Sequence, residues 1–511
     1  MLKGKNMSDS FIHELFLKTD PHDLHIVSIR LEMGRYLYNA VLHEGLLRLK
    51  RMKESKLWKK ANSLSCSLEK TKFYQKAIQQ YGLSDFSLQS YAIKVKGLSE
   101  IKKHLDAHVC QKIATRAYCA IKQYLFKKRG NPRFKRKGWF SSVEGKSNLT
   151  GIRWRKNKIY WRGLVLEAIL DKKDPNQVQA HALSCKTKYC RLILRKIKGK
   201  RLIFVQLIQK GKPLIKPKNK ASKQTIGLDI GPSSIAVFSE QKAWLTAFCS
   251  KLQPLHLKTR VLQRKMDRSK RAMNPDNYQA NKKVKTKVVN WKKSNRYLQY
   301  QNQLFEIFRC LKTYRKRLHG TLANEIIRFG NIIRTEKLSY KGFQKRYGKS
   351  IGFRGPSLFL QILCRKAENA GGKFEEFSTI NTCLSQICHQ CETKKKKPLS
   401  QRWHQCSCGL KPVQRDLYSA FLARHVEKNK LNIKQAQKAY SGANLLLGQA
   451  MLRLDQTASG KSRLASFGLA QSQSGSFVKD RSTVSEAKDV VGNIPESLGE
   501  FTGIAVRTSR L

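Results

Sequence analysis

The chain has 511 residues, 103 of them Lys or Arg and 34 Asp or Glu, giving a formal net charge of +69 at pH 7 and a sequence pI near 10.3. Self-repulsion on that scale argues against an ordinary enzyme for small metabolites and points to a polyanionic partner, nucleic acid before membranes or acidic proteins. Hydrophobic residues make up 40% of the chain, enough to bury several cores, so a disordered polycation is excluded as well.

The opening segment MLKGKNMSDSFIHELFLKTD holds no uninterrupted apolar stretch of the signal-peptide kind. No window approaches the ~18 apolar residues of a membrane span. The expectation is a cytoplasmic, nucleoid-associated protein with no membrane partner. Thirteen cysteines at irregular spacing do not form a secreted disulfide framework.

Along the chain, residues 24–30 (LHIVSIR) are predicted as a strand, after which Leu37, Val41, Leu46 and Leu49 begin a helical pattern that persists to about residue 128. The clearest helical runs are Phe86 to Leu98 and Val109 to Leu125, where Val109, Ile113, Ala117, Ile121 and Tyr124 recur at three or four residues. From about residue 130 the pattern turns strand-like, and Gly199 joins RLILRKI to RLIFVQLI as a hairpin. A helical block is therefore inserted between a first strand and its sheet partners. Between them lies KKRGNPRFKRKGWF (127–140), in which Arg133, Phe134, Lys135 and Arg136, with Trp139 and Phe140, suit phosphate contact and base stacking. A solvated basic loop fits the same residues.

The segment TIGLDIGPSSIAVFSE (225–240) alternates Ile226, Leu228 and Ile230 with Gly227, Asp229 and Gly231, so Asp229 projects from one strand face beside small residues. A ligand or metal has room to approach there, although carboxylates next to Gly at strand ends also serve as turn formers. A long basic helical stretch (251–319) leads to FGNIIRTEKLSYKGF, where Ile332 and Ile333 run into Glu336. This is a buried strand ending in an acid, or a solvated strand terminus.

Four cysteines then cluster: Cys388 and Cys391 as CxxC, and Cys406 and Cys408 as CxC followed by Gly409. Two thiolate pairs at that separation can close a tetrahedron around a structural Zn²⁺. The tighter second pair leaves His404 as an alternative fourth ligand to Cys408. Cys185 and Cys190 have no second pair and are read as structural thiols. Next, VQRDLYSAFLARHV places Asp416 at the start of a helix, where it could cap the N-terminus or act as a ligand kept ionised by the helix dipole. Three acids far apart in sequence, each at a strand or helix end, meet the needs of two-metal phosphodiester cleavage. The tail 456–511 is rich in Ser, Gly, Gln and Ala, carries seven basic and five acidic residues, and is predicted to be disordered.

GLDIG around Asp229, TEKLSYKGF around Glu336, and CxxC…WHQCSCG…QRDLYSA ending at Asp416 resemble, in order, the TnpB family of transposon-encoded RNA-guided nucleases, relatives of the type V CRISPR effectors. The resemblance covers about residues 225–426, with looser agreement in the N-terminal part and its NPRFK segment. It implies a multidomain α/β chain with a RuvC-like, RNase H-type nuclease domain (221–380 and 412–455) interrupted by a zinc ribbon (381–411). A wedge β-barrel (1–30 and 130–220) carrying a helical recognition insert (31–129) would precede it. It further implies that Asp229, Glu336 and Asp416 hold catalytic Mg²⁺ or Mn²⁺ and that Cys388, Cys391, Cys406 and Cys408 hold Zn²⁺. The implied partners are a guide RNA from the transposon end, double-stranded target DNA beside a short adjacent motif, and a companion transposase of the same prokaryotic element. The CxC spacing and the C-terminal tail depart from the family pattern. Two alternatives stay open: a DDE-like strand transferase using the same acids, and a nuclease-inactive RNA-guided repressor.

Overall fold

A computed structural model of the chain describes residues 10–457 apart from 66, 282, 287–289 and 399, together with Phe467. It divides into two units, Met1–Leu214 and Ile215–Leu511. The tail predicted as disordered lies, beyond Thr457 and apart from Phe467, outside the described residues.

The first unit opens with strand β1 (Ser10–Lys18), whose alternate residues Leu15 and Leu17 are buried. Six helices follow: α1 (Pro21–Glu54), α2 (Lys56–Ser63), α3 (Ser67–Gln80), α4 (Asp85–Gly97), α5 (Ile101–His104) and α6 (Ala107–Leu125). Strands β2 (Ser142–Glu144), β3 (Arg153–Arg155), β4 (Lys158–Trp161) and β5 (Leu164–Ile169), helix α7 (Val178–Ser184), and strands β6 (Thr187–Ile197) and β7 (Lys200–Lys210) complete it. The strands form one antiparallel sheet in the order β2-β6-β7-β1-β5-β4-β3, with the inserted helices packed into the same core. Lys198 and Gly199, both at positive φ (48° and 83°), make the tight turn of the β6–β7 hairpin.

Residues 24–30 are helical, correcting the strand expected there. Their β-branched content reads as strand, but Asp20 forms a capping box with Asp23 and Pro21 occupies the first turn, both of which start a helix. Val27, Leu31, Gly34, Tyr38, Val41 and Leu42 then fall on one buried face at helical spacing. The strand role belongs to β1, immediately upstream. Arg30 is buried in this packing, its guanidinium over the Trp161 ring and donating to the carbonyl oxygens of Trp161 (2.6 Å) and Arg162 (2.8 Å).

The second unit begins with β8 (Thr225–Ile230), β9 (Ser234–Phe238) and β10 (Ala243–Ala247). The basic stretch that follows is two helices, α8 (Gln253–Ala272) and α9 (Asn295–Phe329), before β11 (Ile332–Glu336), α10 (Tyr340–Arg354), α11 (Pro356–Asn369) and β12 (Lys373–Phe377). Past α12 (Thr379–Thr382) come β13 (Trp403–His404), β14 (Val413–Gln414), α13 (Arg415–Arg424), β15 (Val426–Glu427), β16 (Lys430–Leu431) and α14 (Ile433–Thr457). The central sheet runs β10-β9-β8-β11-β12; β10, β9 and β8 are antiparallel neighbours, whereas β8, β11 and β12 are parallel. Ile226, Leu228, Ile230 and Ile333 bury one face against α9 and α11. Ala236, Phe238 and Leu245 bury the other against α13 and α14, a core that Phe467 also joins. No helix among the described residues is long and apolar enough to cross a membrane.

Candidate catalytic and metal centre

Strand alternation separates the two faces of β8. Ile226, Leu228 and Ile230 enter the α9/α11 core, so Gly227 and Asp229 point to the opposite side. A methyl group at Gly227 would collide with the carbonyl oxygen of Ala420 and lie 2.6 Å from the backbone nitrogen of Arg424, so α13 rests directly on the strand at this residue. The parallel register sets Gly227 beside Arg334 and Leu228 beside Thr335. Glu336 is the next residue on β11, level with Asp229 and on the same face. Arg334 reports that face independently, donating to the carbonyl oxygen of Arg424 at 2.8 Å.

The last turn of α13 thus lies over Gly227 and Arg334, with Arg424 Nε donating to the carbonyl oxygen of Thr225 at 3.2 Å. Its first turn reaches the other end of the strands, where Asp416 contacts Ser234 and its charge, with that of Glu336, acts on Asp229. The capping role does not belong to Asp416: the Gln414 side chain is the N-cap, accepting from the Leu417 amide at 2.8 Å. Asp416 is free for other work, and it is only 8% exposed.

Burial pushes the Asp229 carboxyl well above the ordinary carboxylate range, and the negative charges of Asp416 and Glu336 push it further. Burial raises Glu336 to about 7. Asp416 is also raised by burial, against the opposing pull of Arg415 and Arg402. Burial at Asp416 therefore works against the ionised form that the helix terminus favours. Three carboxylates crowded in this way are hard oxygen donors whose mutual repulsion a divalent cation would relieve, the chemistry that suits Mg²⁺ or Mn²⁺.

Asp416 has two further neighbours. Arg415 Nη2 lies 3.4 Å from Oδ1 and Ser234 Oγ 3.5 Å from Oδ2. Sequence reasoning singled out neither. Arg415 had adjacency as its signal, whereas Ser234, 182 positions away in sequence, had none.

The four predicted cysteines come together as well. Their sulfur atoms all lie within 4.8 Å of one another, with Cys388 and Cys408 Sγ 3.6 Å apart and Cys391 and Cys406 Sγ 3.4 Å apart. A tetrahedron with Zn–S bonds of about 2.3 Å needs sulfurs about 3.8 Å apart, so the quartet fits such an ion. The Thr393 hydroxyl, 3.2 Å away, holds the Cys391 thiol down at about 6, whereas burial pushes Cys388 up to about 12. His404 is placed elsewhere: it is buried, its ring stacks on Tyr418 at 4.1 Å and its Nδ1 contacts Lys397 Nζ. Cys408, not His404, completes the group.

In the first unit, the strap 133–136 lies along α1. Asn39 Nδ2 donates to the Lys135 carbonyl oxygen (3.0 Å), its Oδ1 accepts from the Lys135 amide (2.8 Å), and Arg35 Nη1 donates to the same carbonyl (3.2 Å). This fixes the backbone while Arg133, Phe134 and Arg136 stay exposed, as does Trp139 at 67%. Phe140 is not available for stacking; it is buried beside Tyr38 and beneath Arg116.

Comparison with protein-family models finds no match, and comparison with curated proteins finds none. Among solved structures, the chain is similar to one described as a Cas12f1–sgRNA–target DNA complex, with 13% identity, a TM-score of 0.40, and coverage of 80% of this chain and 97% of that one. A CRISPR-Cas12f ternary complex matches at 14% identity and TM-score 0.27, covering 80% and 83%. The mini RNA-guided endonuclease CRISPR-Cas_phi3 matches at 11% identity and TM-score 0.37, covering 86% and 94%.

Proposed function

We propose that this chain is an RNA-guided, divalent-metal-dependent DNA endonuclease of the TnpB kind, with Asp229, Glu336 and Asp416 as its catalytic acids. What supports the reading is that Asp229 and Glu336 share a face at one end of β8 and β11, and that the charges of Glu336 and of Asp416 at the start of α13 act on Asp229. The β10-β9-β8-β11-β12 order, with two antiparallel and two parallel neighbouring pairs, is the arrangement expected of a RuvC-like nuclease domain. The acids would hold two ions, which supply activation of water and stabilisation of the leaving oxygen during phosphodiester hydrolysis. The residues themselves need only gather and orient: Asp229 and Glu336 from rigid adjacent strands, Asp416 from a helix clamped to the sheet at Gly227.

The four-cysteine group is read as a structural zinc ribbon inserted ahead of Asp416, and the antiparallel sheet of the first unit as a wedge with its helical recognition insert. The +69 charge supplies the counterion-release binding that a guide RNA and its DNA target require. Base pairing would carry sequence specificity, and the protein would read an adjacent motif.

The test is purification from cells carrying the flanking DNA, sequencing of the copurifying RNA, and challenge of the complex with Mg²⁺ and DNA matching that RNA. The expected result is a discrete RNA and guide-matched cleavage, lost in Asp229→Ala and Asp416→Ala with the RNA retained. Guide-matched binding without cutting would favour the repressor, and absence of a defined RNA would remove the guided reading.

A further inference from the structure

Asp416 follows directly on the segment that closes the cysteine group, and one side chain joins the two. Arg415 Nη1 donates to the carbonyl oxygen of Gln401 at 2.9 Å, while Nη2 reaches Asp416 Oδ1 at 3.4 Å. Its backbone amide donates to the carbonyl oxygen of Arg402 at 2.8 Å. Residues 401 and 402 lead into β13, which pairs with β14 through Trp403 and Gln414. Cys406 and Cys408 follow β13 within four residues of His404. The guanidinium is nearly buried, its side chain 11% exposed.

Resting on the nuclease reading above, we propose that Arg415 is a positioning residue that couples the cysteine group to the acid cluster. One arm of its fork holds the chain entering β13, and the other steers the Asp416 carboxylate. Ser234 flanks the second carboxylate oxygen. Both contacts to Asp416 are long for hydrogen bonds, so they orient the carboxylate while leaving lone pairs for a cation. Ordering of the four thiolates by a metal would fix residues 401–404, and through Arg415 would fix Asp416 for divalent binding. Lysine cannot replace this link, because a single ammonium lacks the planar two-ended fork.

The test reads Mn²⁺ binding by electron paramagnetic resonance on the full-length chain without nucleic acid. Mn²⁺ is chosen because it prefers oxygen donors over thiolates. Wild type, Arg415→Gln and Arg415→Lys are compared before and after the cysteine group is stripped with a zinc-selective chelator, and Asp229→Ala marks the signal that belongs to the acids. Loss of a partner that orients a metal ligand costs roughly 10- to 100-fold in metal affinity. The expected result is a loss of that size in Arg415→Gln and in Arg415→Lys, a similar loss in stripped wild type, and no further loss when a variant is stripped. Independent additive losses, or a variant binding Mn²⁺ as wild type does, would overturn the coupling. If Arg415→Gln melts well below wild type, Arg415→Lys alone decides the question. Mn²⁺ binding in wild type no stronger than in Asp229→Ala would instead overturn the acid assignment, and the coupling with it.

Discussion

The carbonyl oxygen of Ala420 occupies the space where a side chain at Gly227 would stand. This contact brings α13 down onto β8, and it acts two residues before Asp229 and four after Asp416 along their respective elements. Gly227→Ala has no relief available, because the obstructing atoms are the backbone of Ala420 and Arg424. Overpacking of a dense core costs typically 1–3 kcal/mol. We expect Gly227→Ala to lower the thermal midpoint and to weaken divalent binding at the acids, both measurable on the purified chain. A variant with wild-type stability would show that α13 does not rest on the sheet here.

The acid cluster has a defined pH signature. Glu336 is raised to about 7 by burial, and Asp229 and Asp416 are raised as well. The folded state therefore binds more protons than the unfolded chain above the ordinary carboxylate range. Stability contributed by these groups is present at low pH and is lost as pH rises through the folded-state values, for Glu336 near 7. Divalent binding should reverse this trend, releasing protons and tightening as pH rises from 6 to 8. Titration calorimetry of Mn²⁺ in buffers of different ionisation enthalpy measures the proton release; none at pH 6.5 would contradict the crowded-acid picture.

For the cysteine group, the expected content is about one zinc per chain. Cys408→Ser should lose it, since this residue is one of the four converging sulfurs. His404→Ala should keep it, because the imidazole packs on Tyr418. Elemental analysis of the freshly purified variants checks both, and loss of zinc in His404→Ala with retention in Cys408→Ser would exchange their roles.

How much of this was legible in the sequence depended on whether the signal was local. Asp229 stood out because it alternates with Ile226, Leu228 and Ile230 beside small residues, Glu336 because it follows Ile332 and Ile333 at a strand end, and the cysteines because thiolate pairs have a recognisable spacing. Residues 24–30 misled because their β-branched content is a weak preference, which the Asp20 capping box and the buried face beyond Val27 override. Phe140 was grouped with Trp139, although neighbouring residues can point to opposite environments. The capping role of Gln414 and the contact from Ser234 to Asp416 depend on three-dimensional proximity, which no pattern along the chain encodes. Arg415 was visible only as a basic residue beside an acid; the contact with Gln401 that gives it a role belongs to the fold.

The strap along α1 makes the last prediction, and it separates two physical contributions. Stacking of a base on an aromatic ring is worth about 1–3 kcal/mol and depends little on salt, whereas each neutralised phosphate adds to the salt dependence. Trp139 is 67% exposed and Phe134 51% exposed on a backbone held by Asn39 and Arg35. Trp139→Ala and Phe134→Ala should therefore weaken binding of single-stranded nucleic acid with an unchanged slope of log affinity against log salt. Arg133→Ala and Arg136→Ala should instead flatten that slope by about one counterion each. Fluorescence anisotropy over a salt series measures both quantities. If all four variants bind with wild-type affinity and slope, the strap is a solvated basic loop.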